Sequence, residues 1–199
     1  MALTALVLNC TLKPSPAESS TQLLASQVLD ALSGHGVTGS TVRVVDHDVK
    51  PGVEADMGEG DEWPAIREQV LAADILVLAT PTWMGHPSSV AHRVLERLDA
   101  EISEGTLVGK VAVAAVVGNE DGAHLVSAEV FQALGDVGFT IPAQGVTYWN
   151  GEAMGSVDYK DLPETPEKTA GTTATIAANA AHLAGLLSAH PYPAVGAEG

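Results

Sequence analysis

The run Asp74-Ile75-Leu76-Val77-Leu78-Ala79-Thr80, followed at once by Pro81-Thr82-Trp83-Met84-Gly85-His86-Pro87-Ser88, decides the fold. Its first half is a β-rich apolar stretch that reads as a buried strand. Its second half is a loop holding one Trp, two Pro and a Gly. Val90-Ala91-His92-Arg93-Val94-Leu95-Glu96-Arg97-Leu98 then reads as an amphipathic helix. In α/β sheets, ligands gather beyond the carboxyl ends of the strands, where this loop falls. Prolines at both ends restrict its conformations, so it can hold an aromatic ring and backbone amides against a flat ligand. Trp83 as a simple core plug is the bland alternative.

Outward from this unit the strand–helix alternation repeats without a composition break. Leu3 to Asn9 reads as strand one, Ser40 to Asp46 as strand two and Asp74 to Thr80 as strand three. Lys110 to Val117 reads as strand four, and strand five falls within Phe139 to Tyr148, interrupted by Pro142 and Gly145. Helices are expected over Glu18–Ser33, Glu62–Ala72, Ser88 or Ser89 to Glu101, Ala123–Val137 and Thr169–Ser188. Five β-α units with no hairpin between them predict a parallel sheet with right-handed crossovers and helices on both faces. The expected strand order is 2-1-3-4-5, which brings the loops after strands one and three to the topological switch point.

The 199 residues suit one domain, taken as 1–190 with a Pro/Gly/Ala-rich tail over 191–199. Apolar residues make up 46% and charged residues 17%, which excludes general disorder. No apolar run approaches the ~20 residues of a membrane span, and the start lacks the basic region of a signal peptide. One cysteine, Cys10, precludes an internal disulfide and fits a reducing cytoplasm. Nine basic against 25 acidic residues give a net charge of −16, a field that repels nucleic acid. A phosphorylated cofactor is still admissible, because helix-start amides bind anions locally.

The loop after strand one reads Asn9-Cys10-Thr11-Leu12-Lys13-Pro14-Ser15-Pro16-Ala17-Glu18-Ser19-Ser20-Thr21. Thr11, Ser19, Ser20 and Thr21, with Lys13 as a point charge, form an anion site at a helix start. One hydroxyl suffices for an N-cap, so three in a row favour phosphate. This loop contains neither G-x-x-x-x-G-K-[ST] nor G-x-G-x-x-G. No Arg follows Cys10 at the spacing of a thiolate phosphatase, and Cys10 reads as a small buried residue. The loop after strand four, Gly118-Asn119-Glu120-Asp121-Gly122-Ala123-His124, offers Gly118, Asn119, Asp121, Gly122 and His124 to a heterocycle edge. No cluster has metal-ligand spacing. His86 and His124 are the two histidines in candidate ligand loops, where a solvated role is the ordinary reading.

A hydroxyl-rich phosphate loop, an aromatic loop (Pro81, Thr82, Trp83, Met84, Gly85) and a polar edge-reading loop form a mononucleotide flavin site. Over about residues 3 to 190 the chain resembles the flavodoxin-like NADPH-dependent FMN reductase family. Thr11, Lys13, Ser20 and Thr21 match that family's first loop. Pro81, Thr82, Trp83 and Gly85 match its second, with Met84 inserted, and Tyr148 to Ala153 is similar to one subgroup. The opening Cys10-Thr11-Leu12-Lys13 departs from members that begin Gly-Ser-x-Arg, and the loop is longer. The resemblance implies a flavodoxin-like three-layer sandwich. It implies FMN, with its phosphate on the first loop and its isoalloxazine against the other two, and NADPH or NADH as donor. Since flavin carries the hydride and electron chemistry, no catalytic side chain is required.

The expected activity is reduction of flavin, quinone or nitro-type small acceptors, over a flavin face walled by Trp83, Met84, Tyr148 or Trp149. An electron-carrier flavodoxin docking on a protein partner is the alternative, favoured by the acidity; a flavin-free interaction protein is the third. Residues 151–163 lack periodicity and are expected to form a lid or, through Met154, Val157, Tyr159 and Leu162, a homodimer contact.

Overall fold

The computed structural model describes residues 2–193; the expected tail beyond 193 lies outside the described residues. The strands are β1 (Thr4–Asn9), β2 (Thr38–Arg43), β3 (Ile75–Trp83), β4 (His86–Pro87), β5 (Val111–Gly118) and β6 (Val146–Asn150). The helices are α1 (Ser20–Ser33), α2 (Trp63–Ala72), α3 (Ser89–Arg97), α4 (Glu101–Glu104), α5 (Ala123–Asp136) and α6 (Glu167–Ala189). The parallel sheet runs β2-β1-β3-β5-β6, which is the expected order once the two-residue β4 is set aside.

Period-2 alternation distributes the core to both faces of this sheet. Leu6, Leu8, Leu76, Leu78, Ala112, Ala114 and Val116 pack one face beneath α2, α3 and α5. Ala5, Val7, Ile75, Val77, Val113, Ala115 and Val117 pack the other beneath α1 and α6. Strands buried on both sides read as continuous apolar runs, so these segments were legible from sequence.

Three expectations are corrected. Strand three runs on through Pro81 and Thr82 to Trp83, where it turns back, and β4 pairs with it antiparallel, Thr82 with Pro87 and Trp83 with His86. A hairpin therefore stands where none was expected, made possible by positive φ at Met84 (51°) and Gly85 (79°). The last strand starts at Val146, and upstream of it only Thr140 bridges to Val111. Pro142 lacks the N–H that a ladder needs. Strand two ends at Arg43 and continues as a 3-10 turn, Val44–Asp46.

The acid-rich segment between that turn and α2 is clamped from within. Asp61 and Arg97 form a fully buried ion pair, Nη2 to Oδ2 2.7 Å and Nη1 to Oδ1 3.0 Å. Arg97 also donates to the carbonyls of Lys50 and Glu54 and lies over the Trp63 ring, 5.6 Å from its centroid. Burial alone would push the Asp61 carboxyl up. Hydrogen bonds from Arg97 and from the amides of Met57, Lys50 and Trp63 overrule it and hold the carboxyl well below the usual range.

Candidate functional site

The loop after β1 is built by its own polar side chains. Asn9, fully buried, accepts from the Thr11 amide (3.1 Å) and donates to Gln22 Oε1 (2.7 Å). The Ser19 hydroxyl donates to Thr11 Oγ1 (3.0 Å) and accepts from the Gln22 amide, which makes Ser19 the N-cap of α1. Ser20 and Thr21 open the helix. Hydroxyls and free helix-start amides are thus collected at the positive end of the α1 dipole, an arrangement suited to a phosphate. Cys10 is fully buried and its thiol is pushed up by desolvation, so it supplies no thiolate.

Ser88 joins this loop to the hairpin: its hydroxyl donates to the Cys10 carbonyl (2.7 Å) and accepts from the Ala91 amide at the start of α3. At the hairpin tip Trp83 is 53% and Met84 86% exposed, so Trp83 is not a core plug. Gly122 explains how the loop after β5 reaches the hairpin. A Cβ there would lie 2.8 Å from Gly85 Cα, at a φ of +144° that favours glycine. The two glycines are the point where the loops touch, which keeps Gly85 and Gly122 off the cavity wall.

The segment after β6 crosses the ends of the strands and is pinned on both sides. Tyr159 is buried, its hydroxyl donates to Gln27 Oε1 (2.6 Å), and its ring packs 5.4 Å from that of Trp149. The Asn119 amide donates to Asp158 Oδ1 (3.1 Å), and the Lys160 amide donates to the Ser20 hydroxyl (3.3 Å). Tyr159 and Leu162 therefore pack within this chain rather than on a partner, whereas Met154 (99% exposed) and Val157 (51%) face outward.

Together these elements enclose a cavity of about 530 Å³. Thr11, Lys13, Ser19, Ser20 and Thr21 line one region; Pro81, Thr82, Trp83, Met84, Gly118 and Asn119 line another. Gly85, Asp121, Gly122 and His124 do not line it. Asp121 bonds the Gly122 amide within its own turn. His124 turns away to the Tyr148 hydroxyl (3.2 Å), edge-on to its ring. His86 is likewise engaged elsewhere, with Glu129 at 2.9 Å. Leu12, Val117, Glu120, Trp149, Met154 and Asp158 also line the cavity. Of these, Trp149 was readable as an aromatic after a strand, while Asp158 carried no sequence signal because only the crossing brings it there. Thr82 Oγ1 is buried on the wall without a hydrogen-bond partner, an orphan that a polar ligand atom would satisfy. Among the described residues no group of three or more His, Cys, Asp or Glu could hold a metal.

The chain is 38% identical over 168 residues to the 8-demethyl-8-aminoriboflavin-5'-phosphate synthase of Streptomyces davaonensis, a match covering 77% of this chain and 65% of that protein. It is 41% identical over 169 residues to a divalent metal cation transporter MntH of Mycobacterium bovis, covering 80% of this chain but 25% of that protein. The chain thus spans only part of the curated relatives it matches. Among the described residues no helix is long and apolar enough to cross a membrane, and the transport named there stays with that protein. The crystal structure of RosB with a bound intermediate, 8-demethyl-8-formylriboflavin-5'-phosphate, superposes with a TM-score of 0.86 at 35% identity, covering 96% of this chain and 82% of that one. A WrbA-like flavodoxin from Agrobacterium tumefaciens, at 18% identity and a TM-score of 0.57 over 96% of this chain and 99% of that one, shares the fold. The model of the NADPH-dependent FMN reductase family matches residues 3–153, and with the hydroxyl-lined helix start and aromatic hairpin on one cavity, the chain belongs to that family.

Proposed function

We propose that this chain holds FMN and passes electrons from NADPH or NADH to small flavin, quinone or nitro-type acceptors. The observation that carries the reading is the single cavity with an anion-binding helix start in one region and an exposed Trp-Met hairpin in another. Bound there, FMN would supply the hydride and electron transfer. The protein's part is to bind and to orient. Thr11, Ser19, Ser20, Thr21 and Lys13 would hold the phosphate, and Thr82 with Asn119 would meet polar atoms of the ligand. Trp83, Met84 and Trp149 would wall the ring and exclude water from it. Anaerobic addition of NADPH to the FMN-loaded protein tests this: rapid bleaching, reversed by a quinone, is expected, and no bleaching defeats the reductase in favour of the electron carrier.

A second reading is favoured by the 35% identity to RosB, whose structure holds a riboflavin-5'-phosphate derivative as an intermediate. In it, riboflavin-5'-phosphate is substrate rather than resident cofactor. Chromatography of the flavin after turnover separates the two, since a substrate changes its retention and a cofactor returns unaltered.

Leu12, Trp83, Met84 and Met154 line the cavity and are also exposed. These exposed apolar side chains, beside the charged Lys13 and Glu120, support a homodimer in which a second copy covers the flavin. Light scattering at micromolar concentration tests it, and a mass near the 20.4 kDa monomer in the fully active protein removes the dimer from the mechanism. The lone, buried cysteine supports a cytoplasmic setting.

A further inference from the structure

Two residues outside the cavity grip the phosphate loop from the neighbouring strand. Arg43 ends β2 and stands in register with Asn9, where β1 ends. Its Nη1 donates to the Ala17 carbonyl (2.9 Å) and, more weakly, to the Lys13 carbonyl (3.4 Å). Asp46 closes the 3-10 turn that follows. One of its carboxylate oxygens accepts from the Ser15 amide (2.8 Å), the other from the Ser15 hydroxyl (2.5 Å). Those Ser15 hydrogen bonds also hold the Asp46 carboxyl below its ordinary value. Residues 13, 15 and 17 of the loop are therefore fixed from outside, while Thr11 and Ser19 are fixed from inside.

We infer that Arg43 and Asp46 are positioning residues for the phosphate loop, and that a preference for a phosphorylated flavin over riboflavin is set from the end of β2 and the turn that follows it. The inference rests on the reading that FMN places its phosphate on this loop. A loop already held in its bound shape loses less conformational freedom on binding, so its hydroxyls and amides bind the phosphate more tightly. Asp46 makes the inference sharp, because its own charge repels a phosphate. If Asp46 acted by charge alone, removing that charge would tighten FMN. If it acts by holding Ser15, removing it weakens FMN.

The test is flavin-fluorescence titration of the full chain, stripped of any flavin, with FMN and with riboflavin, for the wild type, Asp46→Ala and Arg43→Lys. Both variants are expected to lose about threefold to tenfold in FMN affinity, the range of one or two ordinary hydrogen bonds, with riboflavin affinity unchanged. Asp46→Glu, which keeps two acceptors, is expected to recover part of the loss. FMN binding by Asp46→Ala as tight as or tighter than wild type overturns the inference, and so does an equal loss of both ligands, the mark of a merely structural role. A wild type that binds FMN no better than riboflavin overturns the phosphate placement itself, and the inference with it.

Discussion

Two loops meet at the cavity, and they are built in opposite ways. The loop after β1 is braced by hydrogen bonds before any ligand arrives: Asn9, Thr11, Ser19, Arg43 and Asp46 all hold it. The hairpin between β3 and β4 leaves Trp83 and Met84 in solvent and Thr82 Oγ1 unpaired. The difference fits the proposed placement of a phosphate on the first and a ring on the second. A phosphate needs several donors at fixed positions, so rigidity lowers the entropy lost on binding. A planar ring needs apolar area, which stays exposed until a ligand covers it.

The largest effect is expected far from both loops, which makes it a control for them. Arg97→Ala strands the buried Asp61 carboxylate and should cost ~3–5 kcal/mol of stability in urea unfolding. Acid sharpens the same point. The folded Asp61 resists protonation while the unfolded one takes a proton near pH ~3.9. Its stabilisation is therefore present above that pH and is lost as the pH falls below it. Unfolding midpoints at pH ~6 and ~3 should differ in the wild type, and by less in Arg97→Ala.

Next comes the rigid loop. Ser20→Ala with Thr21→Ala should weaken FMN by ~1–3 kcal/mol, the scale of hydrogen bonds to a charged group. Unchanged affinity by fluorescence titration would move the phosphate elsewhere. On the open side, Thr82→Val removes a buried hydroxyl that has no partner. FMN affinity is expected to fall by ~1 kcal/mol while the flavin-free protein keeps its melting temperature or gains slightly. A loss of stability without FMN would mean that Thr82 is not an orphan. Trp83→Ala is expected to cost a comparable amount, about 0.5–1.5 kcal/mol in FMN binding, and its optical signature is clear. FMN should quench tryptophan fluorescence in the wild type and do so much less in this variant. Trp149→Ala serves as the comparison, since Trp149 also lines the cavity.

Legibility in the sequence follows the range of the interactions. Thr11, Lys13, Ser19, Ser20 and Thr21 could be placed because a helix start concentrates its chemistry within a few residues, and all five line the cavity. Asp121 and His124 misled because they share a short loop with Asn119, yet the turn directs them to Gly122 and Tyr148. The hairpin escaped detection because Pro81 reads as a stop to a strand, whereas here the strand runs through it.

The sequence by itself determined the parallel sheet and its order, since doubly buried strands must be apolar throughout and the alternation with helices leaves few ways to wind them. It also determined that hydroxyl side chains gather at the start of α1. Tertiary structure alone decided the course of residues 151–166, because what fixes it is Tyr159 on Gln27 and Asp158 on Asn119, contacts 132 and 39 residues apart in the chain. It alone brought Asp46 to Ser15, 31 residues away, and Arg97 to Asp61, 36 residues away. Propensity and periodicity act over a few residues, whereas such pairs form only after the sheet has brought distant segments side by side.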